Sequence, residues 1–422
     1  MKQTAPAKNT KSEPTIYSRD DHNISRHNID EDALKIMYRL IRNGYKAFLV
    51  GGGVRDLLLS KKPKDFDIST DATPRRIKSL FRNSRIIGRR FKLVHIFFRG
   101  NKNIEVSTFR DETDVEEDST SKLRTDNVYG DESTDAIRRD LTINGLFYDL
   151  ASFSVIDYVG GMPDLKEGII RVIGDPDTRF ADDPVRLLRV IRHAARNDFK
   201  INPACWESLV KNKELILKSS QVRVYEELKK DFVSGHFLEI LKLLAKSGLL
   251  DYMMPAIYEK HKSLFRAESM FFQVISKVDS LVQERKEVSP TAVLTAMALV
   301  LLNEDSGVVV TDTDAEETIK DFIQNIFSSL SVPRKERERI VSILLLLHEL
   351  STRDLKKVKL HALSRKPYFN DLLHLTKIIE DKYLTEEIRN FVDSAVNNMQ
   401  RERHDGDIHR SNQYYNRVRR PK

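Results

Sequence analysis

The chain has little that could cross-link it or anchor it. Its 422 residues include one cysteine, Cys205, so neither a disulfide framework nor a cysteine-based zinc site can be assembled, and a reducing compartment, the cytoplasm, is expected. The opening stretch MKQTAPAKNTKSEPTIYSRDD has no apolar core and is not expected to act as a secretory signal. Long hydrophobic runs are missing too. The longest in the middle of the chain, Ala292 to Leu302, is too short to span a bilayer and contains Thr295. Ser289 and Pro290 before it read as an N-cap and a first-turn proline, which predicts a buried helix of a soluble protein and no membrane contact. No internal repeat of fixed period is visible. The one glycine-rich run, VGGGVRDLLL, is not followed by G-K-[ST], which excludes a Walker phosphate loop.

What is present is charge. Charged residues make up 32% of the chain, the net charge is +8 and the pI is near 9.2, against a hydrophobic fraction of 40%. That composition allows two or three domains with real cores, and it points to an anionic partner, nucleic acid ahead of a membrane surface.

Residues 1–30 are polar and aperiodic, so disorder is expected there. From Glu31 to Arg42 the apolar residues Ala33, Leu34, Met37, Leu40 and Ile41 fall near helical spacing. AFLV (47–50) runs into Gly51-Gly52-Gly53 and reads as strand, tight turn, helix. FDIS predicts a second strand, and ATPRRIKSLF a helix capped by Thr73 with Pro74 in its first turn. RIIGRRFKLVHIFF and NKNIEVSTFR predict two more strands, turning at Arg99-Gly100-Asn101, and the acidic residues 111–135 predict a mobile loop. Beyond about Asp182 helical patterns dominate to about residue 400. The last segment, 401–422, carries seven Lys/Arg against three Asp/Glu, with Tyr414 and Tyr415. It fits a solvated terminus and a phosphate-gripping, base-stacking tail equally well. The expected fold class is therefore an α/β head with a small mixed sheet, followed by an all-α remainder.

Asp65 and Asp67 carry the chemistry. Residues i and i+2 of a strand share a face, and two carboxylates side by side repel unless a cation lies between them. Hard oxygen donors suit magnesium, and in two-metal sites the ions clamp the attacking and leaving oxygens of a phosphoryl transfer. The glycine turn before them lets the backbone approach a phosphate, and Arg55, just inside the next helix, can reach one as well. In AIRRDLTINGLFYD (136–149), Asp140 offers a third carboxylate, and Asn144 shares its face if the stretch is helical. Glu105 competes for that role, although a strand-face salt bridge is the better expectation for it. In RFADDPVRLLRVIRHAAR, Asp182 or Asp183 caps a helix behind Pro184, Asp183 can pair with Arg186, and Arg186, Arg189, Arg192 and Arg196 line one side. Such a stripe can recognise a base edge and a triphosphate, or it can simply be a solvated face.

In this order LVGGGVRDLLL, KDFDIST, RRDLTINGL, DYVGGMPDL and DDPVRLLRVIRHAA resemble the class II nucleotidyltransferases, over about residues 45–235. That family contains CCA-adding tRNA nucleotidyltransferases and bacterial poly(A) polymerases. Gly53, where the tRNA enzymes commonly have alanine, and IIGRRFKLVHIFF resemble the polymerase branch, as does the polar insertion before RRD, which is shorter here. The resemblance implies a metal-binding pair at Asp65 and Asp67 holding two Mg2+ ions, and a third active-site carboxylate at Asp140. It also implies nucleotide contacts at the turn Gly51-Gly52, Arg55, Arg139 and Asn144, and base reading by Asp183, Arg186 and Arg189. Asp182 stands where the family's base-reading motif usually has glutamate, one methylene longer. The implied architecture is a head (31–178), a neck (179–240) whose Arg186-bearing helix faces the head, and a body and tail (241–400) that hold RNA. The implied reaction is addition of AMP from ATP to RNA 3′ ends with release of pyrophosphate, alongside RNA-decay machinery. The alternatives are a CCA-adding or A-adding tRNA enzyme, and an RNA-binding protein on an inactive transferase scaffold, which the intact aspartates disfavour.

Overall fold

Four consecutive apolar residues, Ala47–Val50, are all buried, and in the computed structural model of the chain they form the strand from which the rest of the head is built. The structure describes residues 13–88, 92–111, 129–260, 269–304, 314–352, 360–379 and 384–396. The terminal segment 401–422, most of the acidic loop 111–135 and Arg89–Phe91 of the polymerase-like segment lie outside the described residues.

Among the described residues the head contains an eight-stranded sheet of β1 (Thr15–Tyr17), β2 (Ala47–Val50), β3 (Asp67–Thr70), β4 (Ser84–Ile87), β5 (Leu93–Phe97), β6 (Asn103–Thr108), β7 (Leu146–Asp149) and β8 (Ser154–Asp157), in the spatial order β1-β8-β7-β2-β3-β6-β5-β4. Only β3 and β6 pair in parallel; their register sets Asp67 opposite Glu105. The other pairings are antiparallel, so the sheet is mixed, as expected. Helix α1 (Glu31–Arg42) buries Ala33, Ile36, Met37 and Leu40 and is capped by Asp30. Helix α2 (Gly52–Leu58) follows β2 without a loop. Helix α3 (Pro74–Leu80) begins behind Thr73, whose hydroxyl accepts the Arg76 N–H as its sequence predicts. Helices α4 (Glu132–Ile137), α5 (Gly161–Glu167) and α6 (Pro176–Asp182) complete this part.

Two expectations are corrected and a third is narrowed. Residues 13–30 are ordered: β1 pairs with β8 on the sheet edge, and Ile24 and Ile29 are buried. A three-residue strand is held by backbone bonds and needs no apolar periodicity, so nothing in its pattern announced it. RIIGRRFKLVHIFF is two strands, β4 and β5, which pair with each other antiparallel and carry its two apolar clusters. Asp182 is the last residue of α6, so of the two candidates only Asp183, whose carbonyl accepts the Arg186 N–H at 3.0 Å, stands at the start of the next helix, α7 (Arg186–Asn197).

By internal contacts, residues up to Asp182 together with Asn197–Leu209 form one unit, and Asp183–Arg196 with the chain from Val210 form another. The second unit is helical throughout its described residues. Beyond α8 (Pro203–Lys211), α9 (Gln221–Phe232) and α10 (Phe237–Ser247) come long helices at Met270–Gln283, Pro290–Glu304, Ala315–Ile326 and Arg334–Thr352. Ser289 caps the Pro290 helix by accepting the Ala292 N–H at 3.1 Å, and residues Ala292 to Leu301 are fully or almost fully buried, as predicted. No described helix is long and apolar enough to cross a membrane.

Candidate active site

The site starts from a glycine that no other residue could replace cheaply. At the end of β2, Gly51 takes φ +70° and ψ −140°, a conformation that costs an L-residue about 1–2 kcal/mol, and it caps α2. A Cβ there would lie 3.2 Å from Arg139 Nη1, so the turn sits directly on a guanidinium. Two residues on, a Cβ on Gly53 would come within 3.3 Å of the Asp65 carbonyl oxygen. Gly53 thus allows α2 and the Asp65 segment to approach closely, which gives the polymerase-like glycine a physical role.

Asp65 and Asp67 lie exposed at the entrance to β3. Asp67 meets solvent on one side and is crowded by protein on the other. That crowding, with the charges of Glu105 and Asp65, pushes its carboxyl up to about 6 against the opposing pull of Arg139. Its position is therefore one where negative charge is costly and a cation would be welcome. Glu105 also lies 3.6 Å from His95 Nε2, directly across the β5–β6 pair. It therefore has the strand-face partner expected of it, an ion pair when His95 is protonated, and it adds to the charge at Asp67.

Arg139 is fixed by a residue the sequence reading passed over. Asp135, on α4, is wholly buried. It accepts from Arg138 Nη2 at 2.5 Å, Arg139 Nη2 at 3.0 Å and Ser69 Oγ at 3.4 Å. Burial would raise its carboxyl, but the charges of Arg139 and Arg138 outweigh it and hold Asp135 below the usual carboxylate range. Arg139 also donates to Ser69 Oγ at 3.3 Å and lies 5.3 Å from the Phe147 ring. The signal for Asp135 was available as its spacing of three and four residues before the diarginine.

Arg55, 5% exposed, donates to Asp56 at 2.9 and 2.7 Å and to Asn144 Oδ1 at 2.7 Å. Asn144 Nδ2 in turn donates to Asp140 Oδ1 at 3.2 Å. The expected Asp140–Asn144 pair is thus present, but on a short 3-10 turn (Thr142–Asn144) instead of an α-helix, because α4 ends at Ile137. The structure gathers Asp65, Asp67, Glu105 and Arg139 into one electrostatic neighbourhood, and Arg55, Asn144 and Asp140 into one hydrogen-bonded chain. Among the described residues, no three His, Cys, Asp or Glu side chains are grouped as a ready-made metal cage. Two exposed carboxylates, of which Asp67 is the raised one, still fit magnesium, which keeps several waters and completes its shell with substrate phosphates.

In the helical unit, Asp183 accepts from Arg223 at 3.1 Å, and Arg189 reaches Glu227 at 3.3 Å. Arg192 is buried between Glu227 and Asp231 of α9. Burial works against Glu227, yet Arg192, Arg189 and Lys230 hold its carboxyl down to about 2. The arginine stripe of α7 is therefore in part a structural lock onto α9, and Arg186 remains its first member.

Fold and site together define the class: a nucleotidyltransferase of the tRNA nucleotidyltransferase and poly(A) polymerase kind. Residues 47–171 match the family described as Poly A polymerase head domain, and residues 198–260 match the one described as Probable RNA and SrmB- binding site of polymerase A. The chain is 41% identical to Poly(A) polymerase I of Escherichia coli O157:H7 over 338 residues, covering 76% of this chain and 72% of that protein. It is 35% identical to a CCA-adding enzyme of Bacillus pumilus, over 52% of this chain and 54% of that one. Its fold is similar to that of the Bacillus stearothermophilus CCA-adding enzyme in complex with CTP, with a TM-score of 0.61 at 23% identity, covering 86% and 82% of the two chains. The chain belongs to the poly(A) polymerase I family.

Proposed function

We propose that this protein is a template-independent poly(A) polymerase that transfers AMP from ATP to RNA 3′ ends. The RNA 3′ oxygen attacks the α-phosphorus, the α–β phosphoanhydride bond breaks, and pyrophosphate leaves. The observation that carries the reading is the exposed Asp65–Asp67 pair beside the Gly51 turn, with Asp67 pushed up to about 6 by crowding and by its acidic neighbours. Asp65 and Asp67 would hold Mg2+, with Glu105 as the nearest further carboxylate. When bound, two such ions would lower the pKa of the 3′-hydroxyl and neutralise the leaving pyrophosphate.

The chain's own residues orient the nucleotide. The turn at Gly51 and Gly52 admits phosphate oxygens close to the backbone, and Arg139, held by Asp135, supplies positive charge beneath it. Arg55 is held to Asn144, and Asp140 anchors that asparagine. Selection of adenine is assigned to Asp183, Arg186 and Arg189, through hydrogen bonds that a wrong base leaves unmade. A cytoplasmic role in RNA decay follows from the same reading.

The second reading, a CCA-adding tRNA enzyme, is favoured by the similarity to such enzymes in fold and in part of the sequence. The two separate by product. Purified protein is given magnesium, with ATP or CTP, and either a short unstructured RNA or a tRNA lacking its CCA end. Long heterogeneous extension of the short RNA with ATP alone is expected. Discrete addition confined to the tRNA and requiring CTP would establish the second reading instead.

A further inference from the structure

From Ala72 to Ile104 the chain has ten Lys/Arg and no Asp or Glu, more positive charge than the whole chain's net excess of +8. This acid-free stretch forms α3, the edge strand β4 and its partner β5. Arg39 of α1 and the stretch's Arg75, Arg76, Arg82 and Arg85 are all exposed, and none has an ion-pair partner among the described residues. Lys35 of α1, by contrast, reaches Asp32 at 2.9 Å, and Lys102, near the stretch's end, reaches Asp30 and Asp32 at 2.5 and 2.8 Å. Five guanidiniums left uncompensated on and around α3 and β4 make a focused field.

The same surface holds rings. Between α1, the end of α3 and the end of β5 lies a cavity of about 660 Å³, lined by Arg39, Arg82, Phe81, Phe97 and Phe98, with no carboxylate on its walls. Phe97 is 38% exposed, a large apolar side chain left open beside cations. Arg39 lies 5.1 Å from the Phe81 ring, which holds its guanidinium at the cavity wall.

Cations that grip phosphates and rings that accept stacked bases are what single-stranded nucleic acid requires. We infer that this face of the head is a second RNA-binding surface, in which Arg39 and Arg82 hold phosphates of a single-stranded segment and Phe97 stacks one of its bases. It is distinct from the Asp65–Asp67 site and from the matched RNA-binding region at 198–260. It depends on the polymerase reading only for the identity of the polyanion as RNA.

The test uses the full chain without ATP and a short, labelled, unstructured RNA. In the double variant R39Q/R82Q the affinity is expected to fall about tenfold, and the slope of log Kd against log salt to shrink by about 1.4, the value for two lost phosphate contacts on a single strand. Phe97→Leu, which changes an exposed ring, is expected to weaken binding about fivefold with its salt slope unchanged. RNA carrying 4-thiouridine is expected to photo-cross-link to the peptide containing Phe97 and Phe98. Unchanged affinity and salt slope in R39Q/R82Q overturn the inference and leave the patch to an acidic protein partner. Cross-links confined to other segments overturn it as well. If the wild type binds RNA in this way but transfers no AMP, the polymerase reading fails and the surface stands. If it polymerises normally and the variants bind as the wild type does, the surface fails and the polymerase stands.

Discussion

Asp67 holds its proton more tightly in the folded chain than in the unfolded one, because crowding and two neighbouring carboxylates press on it. Its contribution to stability is complete below the ordinary value of 3.8 and is lost as pH rises through about 6. In EDTA, Asp67→Asn should therefore melt higher than the wild type at pH 7.5, with a smaller difference at pH 5, while AMP incorporation falls to background. A variant that melts lower at pH 7.5 would remove the electrostatic conflict from the account. Asp135 behaves in the opposite sense. Its lowered carboxyl contributes stability above the ordinary carboxylate range, and that contribution is lost as pH falls through its folded value. Asp135→Asn leaves Arg138 and Arg139 without their shared anion, at a cost of about 3–5 kcal/mol readable in urea melts. It should also raise the KM for ATP, as Arg139 loosens beneath the turn. Among single residues, Asp65 and Asp67 were legible from their i, i+2 spacing, although β3 begins only at Asp67 and Asp65 precedes the strand. Asp135 was less legible, because a carboxylate three and four residues before a diarginine reads as a surface pair until its burial is known. Glu105 could be assigned both its roles only once the β3–β6 register was known, since pairing between distant strands leaves no mark on either segment.

Elements whose signals are local were readable before their neighbours were known. The helix caps at Thr73 and Ser289 are examples, as is the passage from β2 through Gly51 into α2. Gly51→Ala should cost about 1–2 kcal/mol from its positive φ. It should also lower kcat by about 10- to 100-fold, because the added methyl presses on Arg139 and shifts the turn. An unchanged kcat would show that the turn does not touch the nucleotide. The arginines of α7 were harder to read. Helical period places Arg189 and Arg192 on one side of the helix, but only the packing of α9 brings Glu227 and Asp231 to them. Arg192→Met would leave the buried Asp231 without its hydrogen-bonded cation and take from Glu227 one of its three, and a loss of about 3–5 kcal/mol is expected. Calorimetry should register that loss in the helical unit, with the head's transition unchanged. The strand β1 escaped prediction for the same reason as the arginine lock, since its stability is supplied by β8.

At the scale of the whole molecule, the change from strand to helical patterning near Asp182 already separated a strand-bearing head from a helical remainder, and the sheet and the helical unit follow that division. It left open where the positive charge collects, because that depends on which strands end the sheet. The sheet is open, and its two ends are guarded differently. At one end β1 is only three residues long, and at the other β4, which among the described residues pairs with β5 alone, has Arg85 exposed on it. An unpaired strand edge is a template on which a second molecule can add its own strand. The arginines around β4 make that addition electrostatically unfavourable, since two such edges would bring like charges together. Arg85→Ile is accordingly expected to leave the melting temperature nearly unchanged and to raise light scattering on concentration at low salt. A variant that stays monomeric would assign protection of the edge to some other feature. Scattering that rises in the variant would give one set of guanidiniums two consequences, attraction of the proposed polyanion and repulsion of a second copy's sheet edge.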